Sequence, residues 1–174
     1  MAFTDREFRD ALGQFPTGVC VVTAEVDSTL LGATVSSFNS VSLVPPLVLF
    51  SLARSALAFP LWRKAKHFGV AVLAEGQTDM SNRFARSGPD KWSGLAPLRG
   101  KNGVPLLRGA LVTFECETFA FYEGGDHEIV VGRVLSFTRT NATPLLFHAG
   151  RYQRLHSDQP IATPPDIDVW LHGW

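Results

Sequence analysis

The sequence predicts a mainly β fold: a closed antiparallel barrel of at least six strands, with short helices inserted. At least six segments are rich in apolar and β-branched residues. Turn-forming residues separate several of them closely enough to join neighbours as hairpins. Only two or three short stretches have helical spacing, which is too few for the alternating strands and helices of a doubly wound sheet.

The chain opens with a helical pattern. Thr4 and Glu7 form a capping box, in which the hydroxyl and the carboxylate each accept a hydrogen bond from a free backbone N–H. Phe8, Leu12 and Phe15 then recur at helical spacing. A short amphipathic helix that ends near position 16 is therefore predicted.

Three strands are predicted next. The segment 17–26 carries β-branched residues and turns through Asp27 and Ser28 into a returning strand at 30–38. The run at 47–52 is almost continuously apolar, which is typical of a strand covered on both faces.

Two short helices surround the next predicted strand. Ser55 is placed to cap a helix that runs through Trp62 and ends in the basic segment 63–66, because its hydroxyl can accept from the first free N–H groups. A strand follows at 68–73, and Thr78 or Asp79 caps a helix that ends near position 85. The segment 87–104, rich in Gly, Pro and Lys, is predicted to be a loop.

A long hairpin occupies the second half of the chain. The strand at 110–122 turns through the Gly-Gly-Asp sequence at 124–126 into a partner strand at 128–138. A last short pair is expected near 145–147 and 151–153. We therefore expect one domain over 1–155 and an extended, Pro-rich C-terminal tail over 156–174.

Composition and charge exclude several function classes. The formal net charge is zero, whereas nucleic-acid binding draws most of its affinity from a basic excess. The N-terminus is polar and no apolar run reaches the roughly 20 residues of a membrane helix, so a cytoplasmic protein is expected. Cys20 and Cys116 lie in apolar stretches without metal-ligand spacing, which predicts two buried thiols and no metal site.

Familiar sequence motifs are also missing from the chain. It has no G-x-G-x-x-G after a strand and no phosphate-binding Walker loop. It has no H-E-x-x-H and no G-x-S-x-G, so no catalytic triad can be assembled. A bound nucleotide would therefore use something other than a Rossmann fingerprint.

Three polar segments could hold a phosphate attached to a flat aromatic group. Hydroxyl side chains are dense at 34–40, which taken alone fits an exposed strand edge as well. Ser55 lies beside Arg54 at the predicted start of a helix, where free N–H groups attract anions. Ser81 and Arg83 place another hydroxyl beside another cation.

His127 follows a flexible Gly-Asp turn at the start of a strand. An imidazole can both donate and accept hydrogen bonds, which suits contact with a ligand. A solvent-facing turn histidine is the alternative. His148 is a second candidate, near the last hairpin. From the residues alone, the prediction is a β-rich domain that binds a phosphate and an aromatic ring.

The segments GATVSSF at 32–38 and VSLVPPLVL at 41–49 resemble the signature of the short-chain flavin reductases, the reductase components of two-component flavin-dependent monooxygenases. The similarity covers about residues 5–155. Further blocks occur in the family's order at 15–19, 22–23, 68–73, 81–84 and 125–132.

The resemblance implies a six-stranded, Greek-key, FMN-binding split barrel that works as a homodimer. The hydroxyl-rich bend would contact the flavin ring and ribityl chain through Thr34, Val35, Ser36 and Ser37. Two segments would hold the phosphate end through Leu52, Ala53, Arg54, Ser55, Ser81, Arg83 and Phe84. His127 would lie by the nicotinamide, and the last hairpin would approach the dinucleotide through Phe147, His148 and Tyr152.

One residue departs from the family pattern. Many relatives have asparagine where this chain has Ala71, so a side-chain contact to flavin is not available there.

The activity implied is transfer of hydride from NADH or NADPH to FMN or FAD, with reduced flavin passed to an oxygenase component. The cofactor supplies the chemistry, and the protein brings the two rings together. A split-barrel protein that sequesters or senses FMN without turnover is the alternative, because a fold does not fix a function. A reductase that keeps its flavin and passes electrons elsewhere is a third possibility.

Overall fold

The computed structural model describes residues 2–88 and 90–156 of the chain. Short 3-10 turns at Glu75–Gln77 and Asp90–Trp92 supplement its regular elements. Those elements are α1 (Asp5–Leu12), β1 (Thr17–Gly18), β2 (Cys20–Val26), β3 (Thr29–Val35), β4 (Asn39–Leu43), β5 (Pro46–Ala53), α2 (Phe59–Trp62), β6 (His67–Val72), α3 (Thr78–Ala85), β7 (Leu98–Arg99), β8 (Pro105–Leu106), β9 (Val112–Gly124), β10 (His127–Arg139), β11 (Leu146–His148) and β12 (Arg151–Gln153).

Seven antiparallel strands form the main sheet, in the order β3-β2-β6-β9-β10-β5-β4. The mainly β prediction is confirmed, but the prediction of a closed six-stranded barrel is wrong. β4 is an additional strand, which pairs with the start of β5. No hydrogen-bonded ladder joins the two edge strands, β3 and β4, among the described residues.

The two edges of this sheet are nevertheless held near each other. Only residues 36–38 connect β3 to β4 along the chain, so the sheet must curl until its edges lie within about 15 Å. The Ser51 N–H, just beyond the end of the β4–β5 ladder, donates to the Ser37 hydroxyl over 2.9 Å. A side chain from the connection therefore satisfies a strand N–H at the place where the barrel is not closed.

Apolar residues pack on both faces of the sheet. Val22 belongs to a cluster built around Phe50 and Phe68, whose rings meet edge to face at 5.2 Å. Val21 belongs to a second cluster that includes Phe84. Successive side chains of a strand point to opposite faces, so β2 is apolar without alternation because both faces are covered.

Both cysteines are buried members of the first of these clusters, as predicted. Cys20 lies within it on β2, and Cys116 on β9 is fully buried. Burial raises the pKa of each thiol to about 12, and the neighbouring Glu115 carboxylate adds to the effect on Cys116. Both are therefore inert thiols near neutral pH.

Three further predictions concern the C-terminal tail, membrane spans and metal ligands. The tail predicted over 156–174 lies outside the described residues, apart from its first residue. In the two described ranges, no helix is long and apolar enough to cross a bilayer. No cluster of potential metal ligands occurs within those ranges.

Candidate functional site

A groove of about 760 Å³ opens along β3, at the unclosed side of the sheet. This volume lies in the range of small-molecule sites. β3 and the bend after it form one wall. The end of β5, the turn at 56–58 and α2 form the other. The lining residues are Thr29 to Ser37, Ser51 to Ala53, Ala56 to Ala58, Leu61, Trp62, Phe84 to Gly88, Lys91 and His127.

The hydroxyl-rich bend predicted as a flavin contact lines this groove. Two of its hydroxyls already have partners in the protein. Thr34 Oγ1 donates to the Ser81 carbonyl over 2.6 Å, and Ser37 Oγ accepts from the Ser51 N–H. Ser36 is exposed at the rim. The bond to Ser81 fixes the bend against α3. Because it uses the only O–H of Thr34, this hydroxyl can accept a further hydrogen bond but cannot donate one.

The end of β5 reaches the same groove through Leu52 and Ala53. Arg54, the next residue, turns away from it. The Arg54 N–H donates to the Asp126 carbonyl over 2.9 Å, and its guanidinium lies 3.4 Å from the Glu123 carboxylate. Arg54 therefore ties β5 to the β9–β10 turn.

The prediction of a helix that starts at Ser55 is wrong. α2 has four residues, begins at Phe59 and follows Ala58, which makes no side-chain cap. Pro60 explains the difference, because proline lacks an N–H and fits only the first turn of a helix. Ser55 therefore does not lie at a helix N-terminus, and the apolar Leu57 lines the groove two residues later.

Phe84 of α3 forms part of the groove floor and is fully buried. It packs edge to face on Trp92 at 5.0 Å. Gly32 of β3 permits this packing, since a Cβ there would lie 2.4 Å from the Phe84 ring. The glycine in the family-like GATVSSF segment is therefore required by the floor of the groove.

Ser81, Arg83 and the last hairpin do not line this groove. Ser81 is buried, and the Tyr152 hydroxyl lies 2.9 Å from its Oγ and 2.8 Å from Asn82 Oδ1. Phe147 packs on Tyr152 at 5.7 Å. These residues support α3 from behind. His148 lies in β11 opposite Arg151, and buried Ala71 also lies outside the groove.

His127 stands at the groove beside Ala53, its partner across the β5–β10 ladder. Its Nδ1 lies 2.7 Å from the Asp126 carboxylate. The hydrogen bond with His127 lowers the pKa of Asp126, and the charge of the His127 side chain has the next largest effect in the same direction. Asp126 thus orients a half-exposed imidazole whose other nitrogen remains available to a ligand.

Sequence reasoning missed the cationic end of the groove. Arg86 and Lys91 both line it; Lys91 lies in the segment 87–104 predicted only as a loop, and Arg86 lies just before that segment. The Lys91 ammonium donates to the Gly32 carbonyl over 2.9 Å and to the Phe84 carbonyl over 3.0 Å. Burial lowers the pKa of Lys91. The basic residues near Gly88 were the available signal, but their spacing matched no known motif.

The site therefore combines apolar walls, a hydroxyl-rich rim, cations and one histidine. Such a groove fits a flat aromatic group that carries a phosphate. Hydride transfer between two stacked rings needs no protein nucleophile, and the groove's histidine is suited to positioning.

Comparison with known proteins gives a consistent result. The family model described as the flavin reductase like domain matches residues 12–156. The FMN reductase (NADH) SmoA of Agrobacterium fabrum is 44% identical over 149 residues, which cover 86% of this chain and 85% of that protein. The HsaB reductase subunit of a flavin-dependent monooxygenase from Rhodococcus jostii is 35% identical over 173 residues, covering 98% and 89%.

A solved structure is similar along most of the chain. The NADH:FAD oxidoreductase SgcE6 of Streptomyces globisporus C-1027, in complex with NAD and FAD fragments, superposes with a TM-score of 0.84. It is 38% identical in sequence, and the match covers 90% of this chain and 96% of that one.

Proposed function

The chain belongs to the flavin reductase like family, and from that premise we propose that it reduces flavin in the groove along β3. It is a nicotinamide-dependent flavin reductase that supplies reduced FMN or FAD to a partner monooxygenase. One observation carries the assignment of the site: the hydroxyl-rich bend, the cations and His127 line a single groove.

The residues of β3 and β5 would hold the flavin. The apolar walls favour its ring, and the exposed Ser36 hydroxyl at the rim favours its polar edge or ribityl chain. Leu52 and Ala53 complete the wall nearest to His127. When bound, the flavin supplies the redox chemistry, because its ring accepts the hydride that a reduced nicotinamide donates.

Arg86 and Lys91 would hold the phosphate end of the flavin. They line the groove as cations, whereas the guanidinium of Arg54 lies beside the Glu123 carboxylate. Lys91 donates two of its three N–H groups to backbone carbonyls, so one N–H remains for an anion. This assignment replaces the seat predicted around Ser55.

His127 would position the nicotinamide next to the flavin ring. Its Nδ1 is occupied by Asp126, so the ring presents Nε2 to the groove in a fixed orientation. Holding two rings in contact is worth far more than any single proton transfer in this reaction. His127 therefore acts as a donor or an electrostatic partner for the nicotinamide.

A homodimer forms part of the proposal. Phe119, Leu135 and Phe137 leave a large part of their side chains exposed on the β9–β10 hairpin. Leu43, at the end of β4, and Val44, the next residue, do so as well. Exposed apolar patches of this kind mark surfaces that bind a protein. A second copy of the chain is the partner that the family resemblance implies.

The test is to mix the protein with oxidised flavin and NADH and to follow flavin absorbance near ~450 nm, a property of the cofactor. Rapid bleaching under anaerobic conditions supports the proposal. Tight flavin binding without consumption of NADH or NADPH would contradict it and would favour a sequestering or sensory protein.

His127→Ala gives the sharper version of this test. We expect kcat/KM for NADH to fall at least about tenfold, which corresponds to ~1.4 kcal/mol of transition-state stabilisation. Flavin affinity should change less than about threefold. His67→Ala, on β6 and outside the groove, is the matched control and should leave both quantities unchanged. Equal turnover of the His127 variant and the wild type would remove His127 from the site.

A further inference from the structure

The Tyr152 phenol has two polar partners on α3, although it lies outside the groove along β3. It belongs to β12, the edge strand of a small sheet in the order β1-β11-β12. Its hydroxyl lies 2.9 Å from Ser81 Oγ and 2.8 Å from Asn82 Oδ1. Its ring packs edge to face on Phe147, and both rings pack against the apolar cluster that contains Phe84. The last hairpin is therefore tied to α3 through one phenol.

The direction of these two hydrogen bonds follows from the groups involved. A phenol has one proton, and the amide oxygen of Asn82 can only accept. Tyr152 therefore donates to Asn82, and its oxygen accepts from the Ser81 hydroxyl. Ser81 is only 1% exposed, so the phenol oxygen satisfies this proton in the place of water. Removal of the phenol oxygen would leave a buried donor without its partner.

Ser81 also contacts the wall of the groove, through its main chain. Its carbonyl accepts from Thr34 Oγ1 over 2.6 Å, and Thr34 lines the groove. One residue of α3 thus bonds to the last hairpin by its side chain and to β3 by its backbone. Phe84, in the groove floor, lies about one helical turn after Ser81. A movement of Ser81 would therefore reach both the Thr34 hydroxyl and the floor.

The Ser81 hydroxyl has a competing partner within its own helix. A serine inside a helix can turn its hydroxyl to the carbonyl four residues earlier, and this bond often bends the helix. For Ser81 that carbonyl belongs to Gln77, at the start of α3. The bond to Tyr152 keeps the Ser81 hydroxyl away from Gln77. The phenol thus holds the backbone of α3 in the position from which Ser81 accepts the Thr34 proton.

We propose that Tyr152 is a positioning residue for flavin binding, and that it acts through Ser81 on Thr34. Because the Thr34 proton is committed to the Ser81 carbonyl, Thr34 presents only acceptor lone pairs to a ligand. A donor group of the flavin, its ring N–H or a ribityl hydroxyl, then meets an acceptor of fixed orientation. This inference rests on the proposed function, because it places flavin in the groove along β3. Tyr152 supports the site from α3, in contrast to the dinucleotide contact that the family resemblance implies.

Tyr152→Phe is the first test, because it removes only the phenol oxygen. We expect the dissociation constant of FMN, measured by quenching of flavin fluorescence, to rise about fivefold, which is in the range of one hydrogen bond. KM for NADH at saturating flavin should stay within about twofold of the wild type. Tyr122→Phe, at an exposed position of β9, changes the second of the chain's two tyrosines. It is the matched control and should alter neither quantity.

A double-mutant cycle separates positioning from a general structural effect. Thr34→Val removes the hydroxyl that Ser81 orients, and we expect it to weaken FMN binding about tenfold. If Tyr152 acts through Thr34, adding Tyr152→Phe to this variant weakens binding by less than a further factor of about two. Independent effects would multiply to about fiftyfold, and that result overturns the proposal.

Ser81→Ala breaks the same link from the side of α3. It keeps the carbonyl that accepts from Thr34 but removes the hydroxyl that donates to Tyr152. We expect it to reproduce the loss of FMN affinity seen in Tyr152→Phe, within about twofold. It also takes the place of Tyr152→Phe in the cycle if that variant fails to fold.

Each other outcome has a definite meaning. A rise in KM for NADH with FMN affinity unchanged would make Tyr152 a nicotinamide contact and overturn the proposal. Wild-type FMN affinity in both Tyr152→Phe and Ser81→Ala would overturn it as well. If the wild type itself binds no flavin, the proposed function fails. A wild type that binds FMN and consumes NADH keeps that function, whatever these variants show.

Discussion

His127 and Glu128 are neighbours on β10, yet they take part in two very different pairs. His127 contacts Asp126 at the groove, and the two side chains are 44% and 91% exposed. Glu128 points into the sheet interior, where its side chain is only 4% exposed, and pairs with Arg63 just after α2. The strand alternation thus places an adjustable polar pair on one face and a buried ion pair on the other.

The comparison indicates that the Glu128–Arg63 pair supports the site structurally, whereas the His127–Asp126 pair lies in it. Arg63 also lies over the Phe121 ring, 5.3 Å from its centroid, so it anchors the end of α2 to the β9–β10 hairpin. The second Glu128 oxygen has no hydrogen-bond partner among the described residues. Glu128 therefore depends on Arg63 for its charge compensation, whereas Asp126 can rely on water.

Removal of Arg63 should give the largest effect on stability. We expect Arg63→Met to lower the free energy of unfolding by about 3 kcal/mol, since it leaves a carboxylate buried without a countercharge. This is the lower end of the usual range, because Arg63 is itself half exposed. Urea denaturation measures the effect. Arg54→Met, which breaks an exposed pair with Glu123, is the control and should cost less than about 1 kcal/mol.

Removal of both partners should recover most of this loss. The double variant Arg63→Met, Glu128→Leu leaves no buried charge, and we expect it to come within about 1 kcal/mol of the wild type. The double-mutant cycle then gives the coupling between the two residues. A double variant as unstable as Arg63→Met alone would show that packing, and not charge, accounts for the first effect.

At the exposed pair, Asp126→Asn should alter activity more than stability. The amide can still hydrogen-bond to the imidazole but no longer attracts its charge. We expect kcat/KM for NADH to fall less than about fivefold, the scale of an exposed ion pair. Steady-state kinetics on both variants would then separate the two sides of β10. A larger loss than in His127→Ala would mean that Asp126 has a role of its own.

The smallest effect concerns pH. The pKa of Asp126 is lower in the folded state, so its contribution to stability is complete above the ordinary carboxyl value of 3.8 and is lost as pH falls through the folded value. The melting temperature of Asp126→Asn should therefore lie slightly below that of the wild type at pH 5, and the difference should disappear near pH 2. A gap that persists in acid would contradict the assignment.

Local patterns predicted the hairpins well. The β2–β3 turn at Asp27 and Ser28 and the β9–β10 turn after Gly124 are set by a few adjacent residues. The order of strands across the sheet could not be predicted in this way, because it depends on pairings such as β6 with β9 that are distant along the chain. β4 was missed because it is short and mostly exposed, and three of its five residues, Asn39, Ser40 and Ser42, are polar.

The site residues show the same difference between what a local pattern predicts and what depends on distant partners. The resemblance gathered the bend at 34–37, Leu52, Ala53, Phe84 and His127, and all of these line the groove. Arg54 and Ser81 were assigned to the ligand, but the structure uses them to connect elements. Only the three-dimensional partner of a polar residue tells whether it is free for a ligand, and these partners are far away in sequence.

The pairing of β5 with β10 has a consequence for the folding pathway. Its partners Ala53 and His127 are 74 positions apart along the chain, whereas β2 and β3 meet through a two-residue turn. The rim of the groove can therefore form early and locally, but its histidine arrives only after a long loop has closed. A newly made chain would have most of its hairpins in place before it could accept a reduced nicotinamide.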